Sequence, residues 1–396
     1  MEIRAMTPSN RTSQRQVAPL GIAPLGVAAL VALCALAPGA AQGANVYLVA
    51  KSFDQTMPDG AVVPMWGFAA DPDGNANGTG DCYEDVAGAC DAVVARAPGP
   101  PIALSAIDPA LTVLVTNLLD APVSIVISGA PLPAASQPVW SDGSSGPRTD
   151  PAQRVRSFTN ETAPNGGRGS YAWPALPAGT RLYQSGTHPQ VQVQMGLYGE
   201  VRKPFAAGEY YDEVPYDREV TLFFSEIDPA LHEAVADGSY GTPPGPTSTL
   251  AYEPRYFLIN GEPWSSESEC IETTPAIRSN DDVLVRMLNG GLRELVPMLL
   301  ESRWLLVAEG GYRTADPREQ WTAHLAPGST RDALWRPRRA DDFRILERRL
   351  NLTNDSATGG GMQACVHVES NGAECGLGAE LLLVMPLVAA LRRRRG

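Results

Sequence analysis

Histidine is scarce in this 396-residue chain. His188, His232, His324 and His367 are its whole complement, and no two stand two residues apart. No His-Cys-His run occurs, so chemistry that needs several paired imidazoles is excluded by counting. A basic surplus is missing too: 31 Lys and Arg face 44 Asp and Glu, a formal charge of −13, and both ends are themselves basic, so the chain between them is more acidic still. Such a surface does not hold nucleic-acid phosphates, and no nucleic-acid partner is expected. Sustained 3.6-residue periodicity is absent, as is a nucleophile elbow; Gly359-Gly360-Gly361 follows Asn, Asp and Ser and reads as a turn rather than a phosphate cradle. No catalytic residue is assigned.

What is present fits a β-rich chain with many turns: 44% apolar residues, 35 Pro and 38 Gly, in a length that accommodates two domains. Short apolar or alternating runs recur between Gly, Pro and Asn clusters, which argues for Greek-key sandwiches. Leu111 to Leu118 alternates as a half-buried strand, and the alternation from Gln190 to Val201 predicts another. Lys203 to Asp217 is polar and rich in Tyr, Pro and Glu; its acidic run Glu209 to Glu213 reads as a solvated connector between domains.

The two ends carry their own signals. Arg4, Arg11 and Arg15 precede a small, apolar run from about Val17 to Ala37, followed by small residues at Gly39 to Ala44. This pattern reads as a secretory signal over residues 1–43; an uncleaved anchor is the alternative. At the other end, residues 376–396 hold an apolar run, Leu381 to Leu391, and then Arg392 to Arg395. The run is too short for an ordinary spanning helix and reads as a bacterial sorting tail or a simple anchor. The expectation is an exported protein, periplasmic, surface- or outer-membrane-associated, that meets the membrane through its terminal segments before processing. Export makes disulfides plausible, and we expect Cys82–Cys90 and Cys270–Cys365, leaving Cys375 odd.

A run of segments in order resembles the first two domains of the multicopper oxidases: Val62-Val63-Pro64-Met65-Trp66-Gly67-Phe68, Pro98-Gly99-Pro100-Pro101-Ile102, Ser124-Ile125 to Gly129, Tyr183 to Gly186, Met195-Gly196-Leu197-Tyr198-Gly199, Tyr256 to Pro263, Val283 to Asn289 and Trp304 to Gly311. The resemblance spans about Asn45 to Val368. It implies an all-β chain of two tandem cupredoxin-like Greek-key sandwiches, over 45–205 and 219–370 with a linker at 206–218. It also implies copper, but the positions matching the family's imidazoles hold Val126, Ser128, Gln184, Gly186 and Val296. A full copper complement is therefore not expected.

Two metal sites remain as candidates. A reduced copper site could draw on His188 and Met195, or on Cys365 and His367, since thiolate, imidazole and thioether are copper donors; the bland reading makes His188 a loop residue, Met195 core and Cys365 half a disulfide. Asp73, Asn75, Asn77, Thr79, Asp81 and Glu84 stand at the oxygen-ligand positions of a twelve-residue calcium loop, with Gly78 at its turn position; Asp, Asn and Gly clusters are also ordinary turn material. The resulting expectation is a non-catalytic binding or structural module, with calcium as a candidate stabilising ion and a partner protein at the cell surface, and with a copper oxidoreductase as the alternative.

Overall fold

A computed structural model of the chain describes residues 43–371, apart from 247, 266 and 358. The segment read as a secretory signal, but for Gly43, and the one read as a sorting tail, with Cys34 and Cys375, lie outside the described residues. Among the described residues no helix is long and apolar enough to cross a membrane.

The first sheet pair is built from β1 (Ala44–Thr56), β2 (Val62–Ala70), β3 (Ile102–Ala103), β4 (Leu111–Asn117), β5 (Val126–Ile127), the small hairpin β6 (Val139–Trp140) and β7 (Val155–Ser157), then β8 (Gly167–Trp173), β9 (Gly179–Gln184) and β10 (Tyr198–Lys203). One sheet has the order β2-β1-β4-β8, and the other β3-β10-β9-β5. In β4 the alternation does what its sequence predicts: Leu111, Val113 and Val115 are buried against Phe68, Tyr183 and Val201, while Thr112 and Leu114 are half-buried.

A hairpin, β11 (Glu209–Tyr211) and β12 (Val214–Pro215), leads to the second pair. Its strands are β13 (Arg218–Ile227), β14 (Tyr256–Ile259), β15 (Glu262–Pro263), β16 (Val283–Asn289), β17 (Pro297–Leu299), β18 (Trp304–Glu309), β19 (Tyr312–Gln320), β20 (Thr330–Trp335), β21 (Asp341–Glu347) and β22 (Gln363–Val368). They form a seven-stranded sheet, β15-β14-β13-β16-β20-β18-β19, over a three-stranded one, β17-β21-β22. The two pairs repeat one plan. β1 runs parallel to β4 as β13 does to β16, and the parallel step from β3 to β10 (Ile102 to Val201) recurs as the bridge from Ile271 to Val366. Trp304, Trp335, Phe343 and Val366 fill the second core. The β18–β19 turn uses Gly310 and Gly311, with φ of 59° and 80°, a double left-handed conformation that glycine adopts without a Cβ penalty.

Two expectations are corrected. Gln190 to Met195 is not strand: after the one-turn α1 (Ala89–Ala92), Pro189 opens a second short helix, α2 (Pro189–Gln192), because its fixed φ suits a first helical residue and it cannot donate to a ladder. The strand begins only at Tyr198. The segment read as a solvated connector is also folded. Tyr210, Tyr211 and Val214 of the hairpin are buried against Leu284, Val307 and Ala308, so the tyrosines and not the acidic residues decide its placement. Both expected disulfides form, Cys82–Cys90 and Cys270–Cys365.

Candidate functional site

The positions that match the family's first two imidazole motifs come together across one strand pair. β5 and β9 are antiparallel, and Val126 faces Gln184 in register. Ser128 extends the pairing, its N–H donating to the Leu182 carbonyl at 2.8 Å. Gly186 lies under Val126: a Cβ there would stand 2.8 Å from Val126 Cγ1 and 3.0 Å from Ser124 Oγ. Beside them Ser124, Ser157 and Thr187 form a closed triangle of buried hydroxyls with edges of 3.1, 3.0 and 3.0 Å. Ser185 donates to Gln192 Oε1 at 2.5 Å, and Gln192 Nε2 donates to the Pro122 carbonyl at 2.8 Å. Hydroxyls and amides here satisfy one another, and Val126 takes the remaining space. In the second sheet pair the matching position is Val296, half-buried, whose N–H donates at 3.0 Å to Glu347 Oε1. No imidazole, thiolate or thioether stands at any of these five positions. Such a donor set does not fit a copper ion.

Each residue named for a reduced copper site has its own surroundings. Met195 is fully buried, its carbonyl accepting from Trp66 N–H at 2.8 Å. His188 sits on the turn before α2 with φ 39°, and burial and the Arg156 charge hold its pKa below the usual value. Cys365 is bonded to Cys270 and has no thiolate to offer. His367 Nδ1 lies 2.7 Å from Asp342 Oδ1 on the surface. The other two histidines are elsewhere. His324 pairs with Glu294 at 2.5 Å; His232 is completely buried on α3 (Pro229–Ala236), with Nδ1 2.8 Å from the Pro64 carbonyl. Burial pushes the His232 pKa down to about 4. Among the described residues no group of three or more His, Cys, Asp or Glu is placed to hold a metal.

The calcium expectation gains no support: among the described residues Asp73, Asp81 and Glu84 do not gather into such a group. Their loop is stitched by its own hydrogen bonds. Asp73 accepts from Asn77 N–H at 3.0 Å and from Gly78 N–H at 2.7 Å; Asn75 accepts from Asn77 N–H and Asn77 from Thr79 N–H. Asp81 accepts from Gly74 N–H at 3.1 Å, and Glu84 from Asn77 Nδ2 at 2.6 Å. Asn75 and Asn77 thus close Asx turns, as Asn does in loops, and the three carboxylates accept other N–H groups of the same loop.

Sequence reading missed the polar centre of the molecule, between the two sheet pairs. Arg286 (β16) is 1% exposed and donates to Glu219 at 2.6 Å, with Glu200 of β10 at 3.8 Å. Its guanidinium lies 4.3 Å from the centre of the Tyr210 ring, and its Nε and Nη1 have no partner. Tyr211 donates to the buried Asp332, whose pKa burial pushes up to about 6. Arg181 of β9, also buried, donates to the carbonyls of Gly129, Pro177, Ala178 and Gly311, the last in the second sheet pair. Glu226 accepts the N–H groups of Leu292 and Arg293 at 2.7 and 2.9 Å, yet burial still pushes it up to about 7. The one available signal was an arginine inside the apolar run Val283-Leu284-Val285-Arg286-Met287-Leu288, since a charge there is rarely buried unless paired.

This architecture is the cupredoxin arrangement seen in multicopper oxidases. Among the solved structures that share it are the blue copper oxidase from Nitrosomonas europaea (17% identity, 83% of this chain and 86% of that one, TM-score 0.57), the multicopper oxidase mgLAC (14%, 84% and 88%, 0.59) and the copper nitrite reductase from Nitrosomonas europaea (14%, 83% and 94%, 0.55). At such identities the likeness is one of fold. No protein-family model matches the chain, and no curated protein matches it.

Proposed function

We propose that this is an exported cupredoxin-fold protein whose copper sites are degenerate and whose role is binding or structural rather than catalytic. It works at the periplasmic or cell-surface side, meets the membrane through its terminal segments before processing, and engages a partner protein there. The observation that carries the reading is the packing of Val126 over Gly186 beside the Ser124–Ser157–Thr187 hydroxyl triangle, in the place where the resemblance puts imidazoles. Cys365, held in a disulfide, adds to it, because a blue copper centre depends on a thiolate.

The test is metal content. The folded protein is loaded with copper, dialysed and analysed for copper, zinc and calcium. We expect copper far below one ion per chain, no intense thiolate–copper absorption and no oxidation of phenols or metal ions. Stoichiometric copper together with such oxidation would overturn the reading in favour of an oxidoreductase with a reduced copper complement. Co-purification from the exporting cell tests the partner.

A further inference from the structure

Between the two sheet pairs lies a cavity of 220 Å³ whose walls include Arg96, Pro98, Pro101, Glu200, Thr221 and Phe223. Its donors and acceptors are almost all spent inside the protein. Phe223 N–H donates to Asn260 Oδ1 at 2.8 Å, Asn260 Nδ2 donates to the Thr221 carbonyl at 3.0 Å, and the prolines have no N–H. Two charged groups keep hydrogen-bonding capacity to spare. Glu200 is 5% exposed, and the only hydrogen bonds its carboxylate accepts, among the described residues, come from Thr221 Oγ1 at 3.3 and 3.4 Å. Arg286 Nε, at 3.8 Å, is too far to donate and is itself unpartnered. A carboxylate has room for about four donors, so Glu200 is a buried acid far short of its complement, and burial raises its pKa accordingly. The second group is Arg96, exposed, with no ion pair or side-chain hydrogen bond among the described residues.

We infer that this cavity binds a small aliphatic zwitterion, its ammonium bonded to Glu200 and its carboxylate to Arg96. An ammonium brings the donors the buried carboxylate lacks, and charge-assisted hydrogen bonds are the strong ones. Phe223, Pro98 and Pro101 provide an apolar wall for the methylenes between. Arg96 at the open end gives a preference over a simple amine. The inference stands apart from the copper reading, since none of these residues occupies a position the resemblance assigns to copper.

The experiment is calorimetric titration of the full chain at matched ionic strength with 4-aminobutyrate, n-butylamine, butyrate and n-butanol. Binding is expected for 4-aminobutyrate, weaker binding for n-butylamine, and none for butyrate or butanol. Glu200→Gln should weaken 4-aminobutyrate by about tenfold to a hundredfold, the range of a lost charged hydrogen bond. Arg96→Gln, at an exposed position where folding is not at stake, should bring 4-aminobutyrate down to the level of n-butylamine. Should Glu200→Gln fail to fold, competition with methylammonium and trimethylammonium on the wild-type chain replaces it, the former displacing 4-aminobutyrate better because it alone donates three hydrogen bonds. The inference is overturned if neither 4-aminobutyrate nor n-butylamine binds, which leaves the cavity to water. It is equally overturned if butyrate binds as well as they do, or if both variants bind 4-aminobutyrate as the wild type does.

Discussion

Val126 occupies the space that a side chain at Gly186 would need, its Cγ1 standing 2.8 Å from where the Cβ would be built. The two positions are one packing unit: a smaller residue at 126 opens room at 186, and a larger one at 186 pushes 126 aside. Gly186→His should therefore destabilise the fold by about 1–3 kcal/mol, the usual cost of overpacking. Val126→Ala in the same chain should return part of that. Urea unfolding of the two single variants and the double would measure the coupling. Simple addition of the two single effects would show that Val126 does not fill that space.

The two disulfides differ in what they close. Cys82–Cys90 joins residues 8 apart, whereas Cys270–Cys365 joins residues 95 apart. In the chain-entropy account the second constrains the unfolded chain by about 4–5 kcal/mol and the first by about 2–3 kcal/mol. Cys270→Ser with Cys365→Ser should accordingly lower the denaturation midpoint more than Cys82→Ser with Cys90→Ser. Equal losses would mean that local packing, not loop closure, sets both contributions. The longer link also ties the segment around Ile271 to β22, completing the strand step that β3 and β10 make without a disulfide.

Much of this was legible in the sequence, and the failures have physical causes. Strands such as Leu111–Asn117 and Val283–Asn289 declare themselves by burial on one or both faces, and turns such as Gly310–Gly311 by residues that tolerate positive φ. The Gln190–Met195 alternation misled because its polar positions are buried as well, Gln192 and Gln194 as deeply as Val193 and Met195, and Pro189 opens a helical turn instead of a strand. The calcium expectation rested on Asp and Asn at loop positions, and such residues serve backbone N–H groups as readily as cations. The interior network of Arg286, Glu200 and Asp332 was out of reach, because its members lie on strands far apart in the chain and meet only when the two sheet pairs dock.

Two buried groups give stability opposite pH slopes. Burial raises Glu226 to about 7, well above the ordinary carboxyl value of about 4.3. Between those pH values the folded chain keeps a proton that the unfolded chain has released, so stability falls as pH rises through the window. His232, pushed down to about 4, does the reverse: the unfolded chain gains its proton near pH 6.5, the folded chain only near 4, and stability falls as pH drops through that window. Glu226→Gln should gain on the wild type as pH rises from 4.5 to 8, by about 3 kcal/mol at most. His232→Asn, which keeps a donor for the Pro64 carbonyl, should flatten the acid side. Thermal unfolding at pH 4.5, 6 and 8 reads both; a difference from wild type that is the same at every pH would rule out Glu226 as the titrating group.

Arg286 and Glu200 offer the sharpest test of how the two sheet pairs are held together. The guanidinium belongs to the second pair and the carboxylate to the first, and both are buried, with Glu219 and the Tyr210 ring around the cation. Desolvation makes such a group costly to assemble, but removing one member is costlier, because the remaining charge stays buried without its counter-ion. Arg286→Met should therefore cost about 3–5 kcal/mol. Arg286→Met with Glu200→Gln should recover a part, since the Glu200 charge is then gone while Asp332 stays buried; Glu219, half-exposed, still has Arg202 at 3.0 Å. The recovery is read as the coupling in a double-mutant cycle by urea unfolding, with the slope of the transition showing whether the two sheet pairs still unfold together. A double variant as unstable as the sum of its parts would mean that Arg286 contributes through its packing against Tyr210 and not through charge.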